Sequence, residues 1–323
     1  MQLPASFKIY LDKIDASLLA TVEDSFPSGL REPMRYVLQM PGKKIRPLMA
    51  LFSSLAVGGT VEQALPAATA VELFHDFTLI HDDIMDEDEM RRGFSTVHVK
   101  YDEGTAILTG DLLIGIAYRE LVRSPAHAIS EITAIFTEAL IKVCEGQALD
   151  KEFENRQNVS AEEYIDMIGK KTGWLIMIAC SIGSICGGGS REQTEALRSY
   201  GYDLGLGFQI QDDLLDFIAD EDKLGKQVGS DFRMDKKTYV ALKYAELVQS
   251  DASLQKKYPA KPSGFDSFGE FQNALHELGL VQQIQREADQ YIAQALKALE
   301  SVQPLTEDNL LYQITRFLQK RQY

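Results

Sequence analysis

Apolar residues recur with the spacing of an α-helix along most of this chain of 323 residues. The pattern is clearest in residues 71–85, 132–149, 161–185, 192–217 and 275–299. Alternating runs rich in β-branched residues, which would predict strands, are scarce. We therefore predict an all-α fold, a single-domain bundle of many long helices over residues 1–323.

Clusters of Pro, Gly and polar residues predict the loops between these helices. The predicted loops are residues 27–33, 58–60, 151–160, 187–190, 219–236 and 257–268. The longest apolar stretch, residues 174–186, is too short and too often interrupted by Ser and Gly to span a bilayer. We interpret it as a buried core helix.

The charge balance excludes some classes of partner. The chain has 33 basic and 48 acidic residues, a net charge of −15, which argues against general nucleic-acid binding. Its three cysteines, Cys144, Cys180 and Cys186, cannot all pair and lack metal-ligand spacing. The N-terminal residues carry charges and no apolar signal-peptide core. We expect a cytoplasmic protein with no membrane span and no nucleic-acid partner.

An acidic motif begins after His81, in the sequence HDDIMDEDEMRRG, and contains Asp82, Asp83 and Asp86. On a helix, Asp82 and Asp86 lie one turn apart on the same face, where two like charges destabilise the helix. Mg²⁺ is a natural compensating cation, because it binds a few carboxylates together with substrate phosphates. The alternative is a solvated acidic helix end, and one such motif is a weak signal.

A second motif, FQIQDDLLDF, repeats the arrangement with Asp212, Asp213 and Asp216 between apolar residues. Apolar flanks favour a helix that is otherwise part of the core, which makes a merely solvated face less plausible. Two such clusters can face each other across a helical bundle and hold several Mg²⁺ ions that bind a diphosphate. The pair of motifs therefore predicts a functional site.

Basic residues cluster near both motifs in spite of the negative net charge, and Lys and Arg side chains bind phosphates. The candidates are Lys43, Lys44, Arg46, Arg91, Arg92, Lys170, Lys171, Lys226, Lys236 and Lys237. For Lys44, Lys170 and Lys237 we prefer the interpretation as solvated surface charges.

His75 precedes Asp82 by seven residues and Asp86 by eleven, which puts all three on one stripe of a helix. We therefore predict that His75 is a site residue rather than a core histidine. Glu72 and His75 also match half of a di-iron carboxylate site, which needs the Glu-x-x-His pattern twice. None of the other four histidines has a Glu three residues before it, so the di-iron interpretation is disfavoured.

Taken together, the motifs resemble the trans-isoprenyl diphosphate synthases, also called polyprenyl synthetases. Matching blocks occur in order between Gly42 and Tyr239, and they include GKKIRP, HDDIMDEDEMRRG, TGDLL, EGQALD, KTGWL, FQIQDDLLD and DKKTY. The resemblance implies an isoprenoid synthase fold, with helices around a central active-site cavity, and a homodimer. It also implies a Mg²⁺-dependent condensation of isopentenyl diphosphate with the allylic dimethylallyl, geranyl or farnesyl diphosphate. Pro41 and Val240 depart from the family pattern, where Gly and Pro are common.

The resemblance also implies roles for individual residues. The residues expected to hold isopentenyl diphosphate are Lys43, Arg46, His75 and Arg92. Those expected to hold the allylic diphosphate are Arg91, Lys171, Lys226 and Lys236. Those expected to bind about three Mg²⁺ ions are Asp82, Asp86, Asp212 and Asp216. Thr172 and Gln209 are expected near the allylic cation, and with Lys171 they form the predicted catalytic set.

The length of the product depends on the floor of the cavity that receives the growing prenyl chain. Phe77 and Phe74 both precede Asp82 on the predicted helix, and helix geometry alone does not say which of them enters the cavity. In the family that this chain resembles, short-chain members carry an aromatic residue at the position of Phe77. The resemblance therefore predicts mainly a C20 product, geranylgeranyl diphosphate, with C15 farnesyl diphosphate next.

Three alternatives remain open. One is a longer-chain polyprenyl diphosphate synthase. Another is a class I terpene cyclase of the same fold, which the intact second motif disfavours. The third is a non-catalytic partner subunit, a class that tends to lose the aspartates retained here at Asp82 and Asp212.

Overall fold

A computed structural model of the chain describes residues 3–218, 232 and 236–319. Its helices, in chain order, are α1 (Lys8–Ala20), α2 (Ser28–Leu38), α3 (Ile45–Ala56), α4 (Val61–Met85), α5 (Val97–Lys100), α6 (Glu103–Leu121), α7 (Ile129–Asn155), α8 (Ala161–Ile168), α9 (Trp174–Cys186), α10 (Arg191–Ile218), α11 (Tyr239–Ser250), α12 (Ala252–Lys257), α13 (Phe268–Glu277), α14 (Leu280–Glu300) and α15 (Leu310–Gln319). Two short strands, β1 (Met90–Arg91) and β2 (Phe94–Ser95), form an antiparallel hairpin. The all-α prediction is confirmed.

The chain forms two compact units. The first unit comprises Met1–Glu138, Met177–Arg198 and Leu299–Ile314. The second unit comprises Ala139–Ile176, Ser199–Ala298 and Thr315–Tyr323. That residues 1–323 form a single domain stays a prediction.

Helix α4 is the central helix of the first unit, where it packs against α1, α3 and α6. It begins with a capping box, in which Thr60 and Gln63 each accept a hydrogen bond from the other residue's backbone N–H. This cap explains why the helix starts before the predicted residue 71. Most residues in 67–76 are buried apolar side chains, so the charged residues among them lie inside a helix that is otherwise core.

Helices α3 and α9 approach closely within the first unit. A Cβ atom at Gly183 would overlap the carbonyl oxygen of Ala50, and one at Gly187 would crowd Ser54. Most side chains of α9 from Leu175 onward are buried, which confirms the core-helix interpretation. Among the residues that the structure describes, no helix is both long and apolar enough to cross a membrane.

Several predicted boundaries are wrong. Residues 27–33 are not a loop, because α2 begins at Ser28 and includes Pro33. Pro33, Met34, Val37 and Leu38 form a buried apolar face, and its burial stabilises the helix despite the missing N–H of Pro33. Helix α7 likewise continues to Asn155, into the predicted loop 151–160.

Two predicted helices are interrupted. The predicted helix 275–299 breaks between α13 and α14, where Gly279 adopts a left-handed conformation with φ +70°. The predicted helix 161–185 contains a π-helical turn, Gly169–Gly173, between α8 and α9. The predicted loops 58–60 and 187–190 are confirmed. Of the predicted loop 219–236, residues 219–231 and 233–235 lie outside the described residues.

Candidate active site

The first acidic motif occupies the C-terminal end of α4. Asp86 directly follows the helix, and its N–H donates to the carbonyl oxygen of Asp82 at 2.8 Å. The negative end of the helix dipole lies here, so carboxylates are destabilised unless cations compensate them. The side chain of Asp86 is exposed and that of Asp82 is half-buried. A cation bound by these two carboxylates would relieve the repulsion.

Asp83, the middle residue of the motif, is buried and has a different partner. Its carboxylate accepts a short hydrogen bond from the Arg91 guanidinium. Burial raises the pKa of Asp83, and the Arg91 hydrogen bond opposes that rise. Arg91 therefore neutralises the buried member of the motif, while Asp82 and Asp86 remain accessible to solvent.

The hairpin after the motif positions two arginines. Arg92 and Gly93 both have positive φ, 53° and 83°, as a tight two-residue hairpin turn requires. Arg91 on β1 meets Asp83, and Arg92 Nη1 donates to the carbonyl oxygen of Pro41 at 3.0 Å. Gly42 packs directly on the Arg92 guanidinium, so the loop that carries Lys43 lies against Arg92.

His75 lies at the centre of a cluster of cations. It is buried on α4, and Arg46 Nη1 lies 3.1 Å from its Nε2. A guanidinium can only donate, so His75 Nε2 must accept, which requires a neutral imidazole. Burial, followed by the charges of Arg46, Arg92 and Lys44, lowers the pKa of His75 well below its usual range. The structure thus brings Arg46, His75 and Arg92 together.

The cluster has an unsatisfied donor. Arg46 Nε is buried and has no hydrogen-bond partner among the described residues. Burial and the nearby charge of Arg92 lower the pKa of Arg46, although Glu72 opposes the shift. A buried donor without a partner is costly, and like charges held together add to the cost. An anion bound at Arg46 would offset both terms.

Lys44 is not the solvated surface charge that we predicted. Its side chain is buried, and Nζ lies 3.2 Å from Oε1 of the buried Glu72 on α4. Lys44 also adopts a left-handed backbone conformation, with φ 49°. Glu72, which matched half of a di-iron pattern, therefore pairs with a lysine. Of the other two lysines, Lys170 pairs with Asp166 and Lys237 donates to the carbonyl oxygen of Glu154, and both are half-buried.

Asp76 is a buried acid that the sequence analysis missed. Its Oδ2 has no hydrogen-bond partner in the described part of the chain, and burial together with Glu72 raises its pKa to about 7. A cavity of about 20 Å³ lies between Asp76, Asp83, Arg91 and Arg92, among other residues. That volume is enough for one water molecule. Neither Glu72 nor Asp76 belongs to an acidic motif, so only their burial in the folded chain indicates that they are part of the site.

In the second unit, Lys171 and Thr172 lie on the π-helical turn. Such turns are frequent at functional sites. Lys171 Nζ pairs with Asp150 Oδ2 at 2.6 Å. Asp150 is the last residue of the EGQALD block, and the sequence analysis did not predict it as a site residue. A Cβ at Gly146 would lie 2.5 Å from the Lys171 backbone nitrogen, and one at Gly205 would lie 2.8 Å from the Cα of Gly173. Glycines therefore let the neighbouring helices pack against the turn.

The second acidic motif repeats the division seen in the first. Asp212 is exposed and Asp216 is half-buried, whereas Asp213 is buried. Asp213 accepts hydrogen bonds from the Tyr164 hydroxyl at 2.7 Å and from Gln209 Nε2 at 3.0 Å. Gln209 Oε1 in turn accepts from the Thr172 hydroxyl at 3.2 Å. The structure thus links Thr172 and Gln209 to the middle aspartate.

Two of the lysines predicted to bind the allylic diphosphate, Lys226 and Lys236, are in or next to the part of the chain that the structure does not describe. Lys226 lies outside the described residues. Lys236 is exposed and lies shortly before Thr238, the N-cap of α11.

Phe77 and Phe74 occupy different environments. Phe74 is fully buried, and its ring centroid lies 5.0 Å from that of Phe136. Phe77 is only half-buried, and its ring lies 4.8 Å from that of His81. Phe74 is therefore a core residue, and Phe77 borders accessible space.

The two accessible aspartate pairs suit Mg²⁺. Among the described residues, no three Asp, Glu, His or Cys side chains converge into a ready-made metal cage. Mg²⁺ at phosphate sites usually takes one or two carboxylates and completes its coordination with water and phosphate oxygens. Asp82 with Asp86, and Asp212 with Asp216, provide hard oxygen donors of that kind.

Comparisons with known proteins agree with this geometry. The sequence model of the family described as "Polyprenyl synthetase" matches residues 27–284. A short chain isoprenyl diphosphate synthase of Methanothermobacter thermautotrophicus is 45% identical over 238 residues, which are 73% of each chain. A geranylgeranyl diphosphate synthase of Methanosarcina mazei is 36% identical over 319 residues, covering 96% of this chain and 95% of the relative.

Among solved structures, geranylgeranyl pyrophosphate synthetase from Pyrococcus horikoshii is similar with a TM-score of 0.89 and 35% identity, and the match covers 98% of both chains. The predicted isoprenoid synthase fold and the assignment as a trans-prenyltransferase are confirmed. The chain belongs to the polyprenyl synthetase family.

Proposed function

We propose that the protein catalyses Mg²⁺-dependent condensation of isopentenyl diphosphate with dimethylallyl, geranyl or farnesyl diphosphate, and that its main product is C20 geranylgeranyl diphosphate. One observation carries the proposal: α4 bears both the cation cluster around His75 and, at its C-terminal end, the accessible carboxylates of Asp82 and Asp86. The two positions are about 10 Å apart along the helix axis. The names of the two relatives described above support a short-chain product. We propose C15 farnesyl diphosphate as the next most abundant product.

Isopentenyl diphosphate binds at the cation cluster in this proposal. The residues that hold it are Lys43, Arg46, His75 and Arg92. The partnerless Nε of Arg46 gives a direct reason, because a phosphate oxygen would accept from it. Neutral His75 orients the guanidinium by accepting from Nη1. Lys44 contributes indirectly, since its pairing with Glu72 anchors the loop that carries Lys43.

The allylic diphosphate binds at the aspartates and a second set of cations. The proposed cations are Arg91, Lys171, Lys226 and Lys236. The proposed Mg²⁺ ligands are Asp82, Asp86, Asp212 and Asp216, for about three ions. When bound, Mg²⁺ neutralises the negative charge that develops on the leaving pyrophosphate.

The reaction then needs little acid–base chemistry from the protein. Cleavage of the allylic C–O bond leaves pyrophosphate, and the Arg and Lys side chains stabilise its charge in the transition state. The Thr172 hydroxyl and the Gln209 carbonyl oxygen turn dipoles toward the allylic cation. The isopentenyl double bond attacks this cation, and the proton lost afterwards passes to the released pyrophosphate.

We also propose that the enzyme is a cytoplasmic homodimer. Ile107, Leu108 and Val122 are exposed apolar side chains along and just beyond α6, with exposed fractions of 42%, 58% and 58%. A second copy covering these side chains would remove their apolar area from water. The buried Cys180 and Cys186 are thiols rather than disulfides, as in a reducing compartment, and cell fractionation tests the cytoplasmic location.

Substitution of a metal ligand tests the proposed chemistry. Asp82→Ala should lower turnover by several orders of magnitude with unchanged circular dichroism, because a carboxylate that holds Mg²⁺ is lost. Product formation from isopentenyl diphosphate and each allylic primer is the measurement. Glu195→Ala, which removes an exposed acid from α10, is the control and should retain full turnover. Normal turnover of Asp82→Ala would refute the metal assignment.

The anion cluster gives a second prediction. Arg46→Ala should raise the KM for isopentenyl diphosphate about 10-fold or more, because a charge-assisted hydrogen bond contributes about 1.5–3 kcal/mol. The KM for the allylic primer should stay unchanged. Lys226→Ala should show the opposite pattern in the same steady-state assay. Equal effects of either variant on both substrates would contradict the proposed division between two diphosphate sites.

The floor of the cavity gives a third prediction. Phe77→Ala should shift the product from C20 to C25 or longer, because the truncated side chain no longer stops the prenyl chain. Phe74→Leu is the matched control at the buried position and should leave the product length unchanged. Chromatography of the dephosphorylated products measures both. An active, folded Phe77→Ala enzyme that still releases C20 would place the floor elsewhere.

The homodimer gives a fourth prediction. Leu108→Lys should reduce the mass measured by sedimentation from that of a dimer toward that of the 36.1 kDa monomer, because the charge would have to be buried. Ile9→Lys is the control, since Ile9 is an equally apolar and exposed residue of α1, and it should leave the dimer intact. A monomeric wild-type protein at micromolar concentration would refute the proposal.

A further inference from the structure

The carboxylate of Asp213 faces inward, although its motif neighbours remain accessible. Asp213 is 6% exposed and lies beside buried residues of the core of the second unit, including Tyr164 and Tyr239. Its Oδ1 accepts from Gln209, and its Oδ2 accepts from the Tyr164 hydroxyl at 2.7 Å and the Tyr239 backbone N–H at 3.2 Å. A carboxylate with these partners is an anchor rather than an open metal ligand.

The anchor fixes the orientation of the Gln209 amide. A side-chain amide has a donating nitrogen end and an accepting oxygen end, whereas a carboxylate only accepts. The Nε2 end of Gln209 must therefore face Asp213, and Oε1 must face away from it. Thr172 lies on that other side and donates its hydroxyl to Oε1 at 3.2 Å. The reversed amide would set its oxygen against the carboxylate.

The orientation matters because the amide ends carry opposite partial charges. A carbonyl oxygen stabilises a nearby carbocation, whereas an NH₂ group in the same place would destabilise it. We propose that Asp213 is a positioning residue that holds the nitrogen of Gln209, so that the Gln209 carbonyl oxygen is presented beside Thr172 to the developing allylic cation. This inference rests on the proposed function.

Two further observations favour this role over a metal-binding one. Asp213 receives the first backbone N–H of α11, and the positive end of that helix dipole stabilises a carboxylate there. The corresponding residue of the first motif, Asp83, is also buried and is paired with Arg91. In both motifs, therefore, the middle aspartate is already engaged by the protein.

Asp213→Asn tests the proposal, because asparagine has the same shape but can donate to Gln209 and so let the amide reverse. We expect kcat to fall about 10-fold or more. The KM of both diphosphates and the Mg²⁺ concentration for half-maximal rate should remain unchanged. Tyr164→Phe is the matched control, because it removes another hydrogen bond to Asp213 but leaves the Gln209 bond. It should lower the thermal midpoint and leave kcat within about threefold.

A swapped pair tests the orientation directly. In Gln209→Glu/Asp213→Asn the asparagine donates to the new carboxylate, which keeps an oxygen facing Thr172, so kcat should recover relative to Asp213→Asn. Should Asp213→Asn alone fail to fold, the swapped pair is compared with Gln209→Met, which lacks both the hydrogen bond and the oxygen. We then expect the swapped pair to be the faster enzyme.

Several outcomes overturn the inference. Asp213→Asn would contradict it by keeping an unchanged kcat, or by needing a higher Mg²⁺ concentration for half-maximal rate, as a lost metal ligand such as Asp212→Ala would. Tyr164→Phe would contradict it by losing as much kcat as Asp213→Asn. The swapped pair would contradict it by showing no higher kcat than Asp213→Asn. Each is read against wild-type turnover. If the wild-type enzyme does not condense the two diphosphates, the proposed function itself fails, and the inference fails with it.

Discussion

The buried ion pair between Lys44 and Glu72 joins the loop before α3 to the central helix α4. Burying two charges is expensive unless they pair closely, and removing one partner leaves the other uncompensated. The pair therefore fixes the backbone on either side of Lys44, where Lys43 and Arg46 are found. Arg46 on α3 then contacts His75 on α4, with its Nη1 3.1 Å from His75 Nε2. This attachment, together with the Arg46–His75 contact and the hydrogen bond from Arg92 to Pro41, sets the geometry of the cation cluster.

Helix geometry explains why each acidic motif has two kinds of aspartate. Residues one turn apart share a face, whereas the next residue along is rotated by about 100°. Asp82 and Asp86 are therefore accessible while Asp83 turns to Arg91, and Asp212 and Asp216 are likewise separated from Asp213. The outer carboxylates suit a cation, and the inner ones hold the helix to its neighbours. One short sequence pattern thus specifies both ligands and anchors.

The sequence predicted the long helices well where apolar spacing was undisturbed, as in α10, which spans Arg191–Ile218 against the predicted 192–217. It failed where tertiary contacts outweigh local signals. Pro33 suggested a loop, yet the burial of its neighbours makes a helix. Lys44 looked solvated, because its partner Glu72 is distant in sequence and pairs with it only in the folded chain. The candidate site residues were recognised from the acidic and basic motifs and from the order of these motifs along the chain. The apolar periodicity, which predicts helices, does not identify them.

The backbone departs from regular geometry close to the proposed ligands. In the described part of the chain, the non-glycine residues with positive φ are Lys44, Glu87 and Arg92, which adjoin Lys43, Asp86 and Arg91. Each such residue costs about 1–2 kcal/mol, which the surrounding contacts must offset. The π-helical turn that carries Lys171 and Thr172 is a similar departure, and its packing depends on the absence of side chains at Gly146 and Gly205. Periodic apolar spacing gives no sign of these irregularities, whereas the glycines beside Arg92 and within the π-helical turn are visible in the sequence. Glycines alone do not locate the site, however, because Gly183 and Gly187 allow an equally close approach of α3 and α9 in the core. The site is located where such glycines coincide with the acidic and basic motifs.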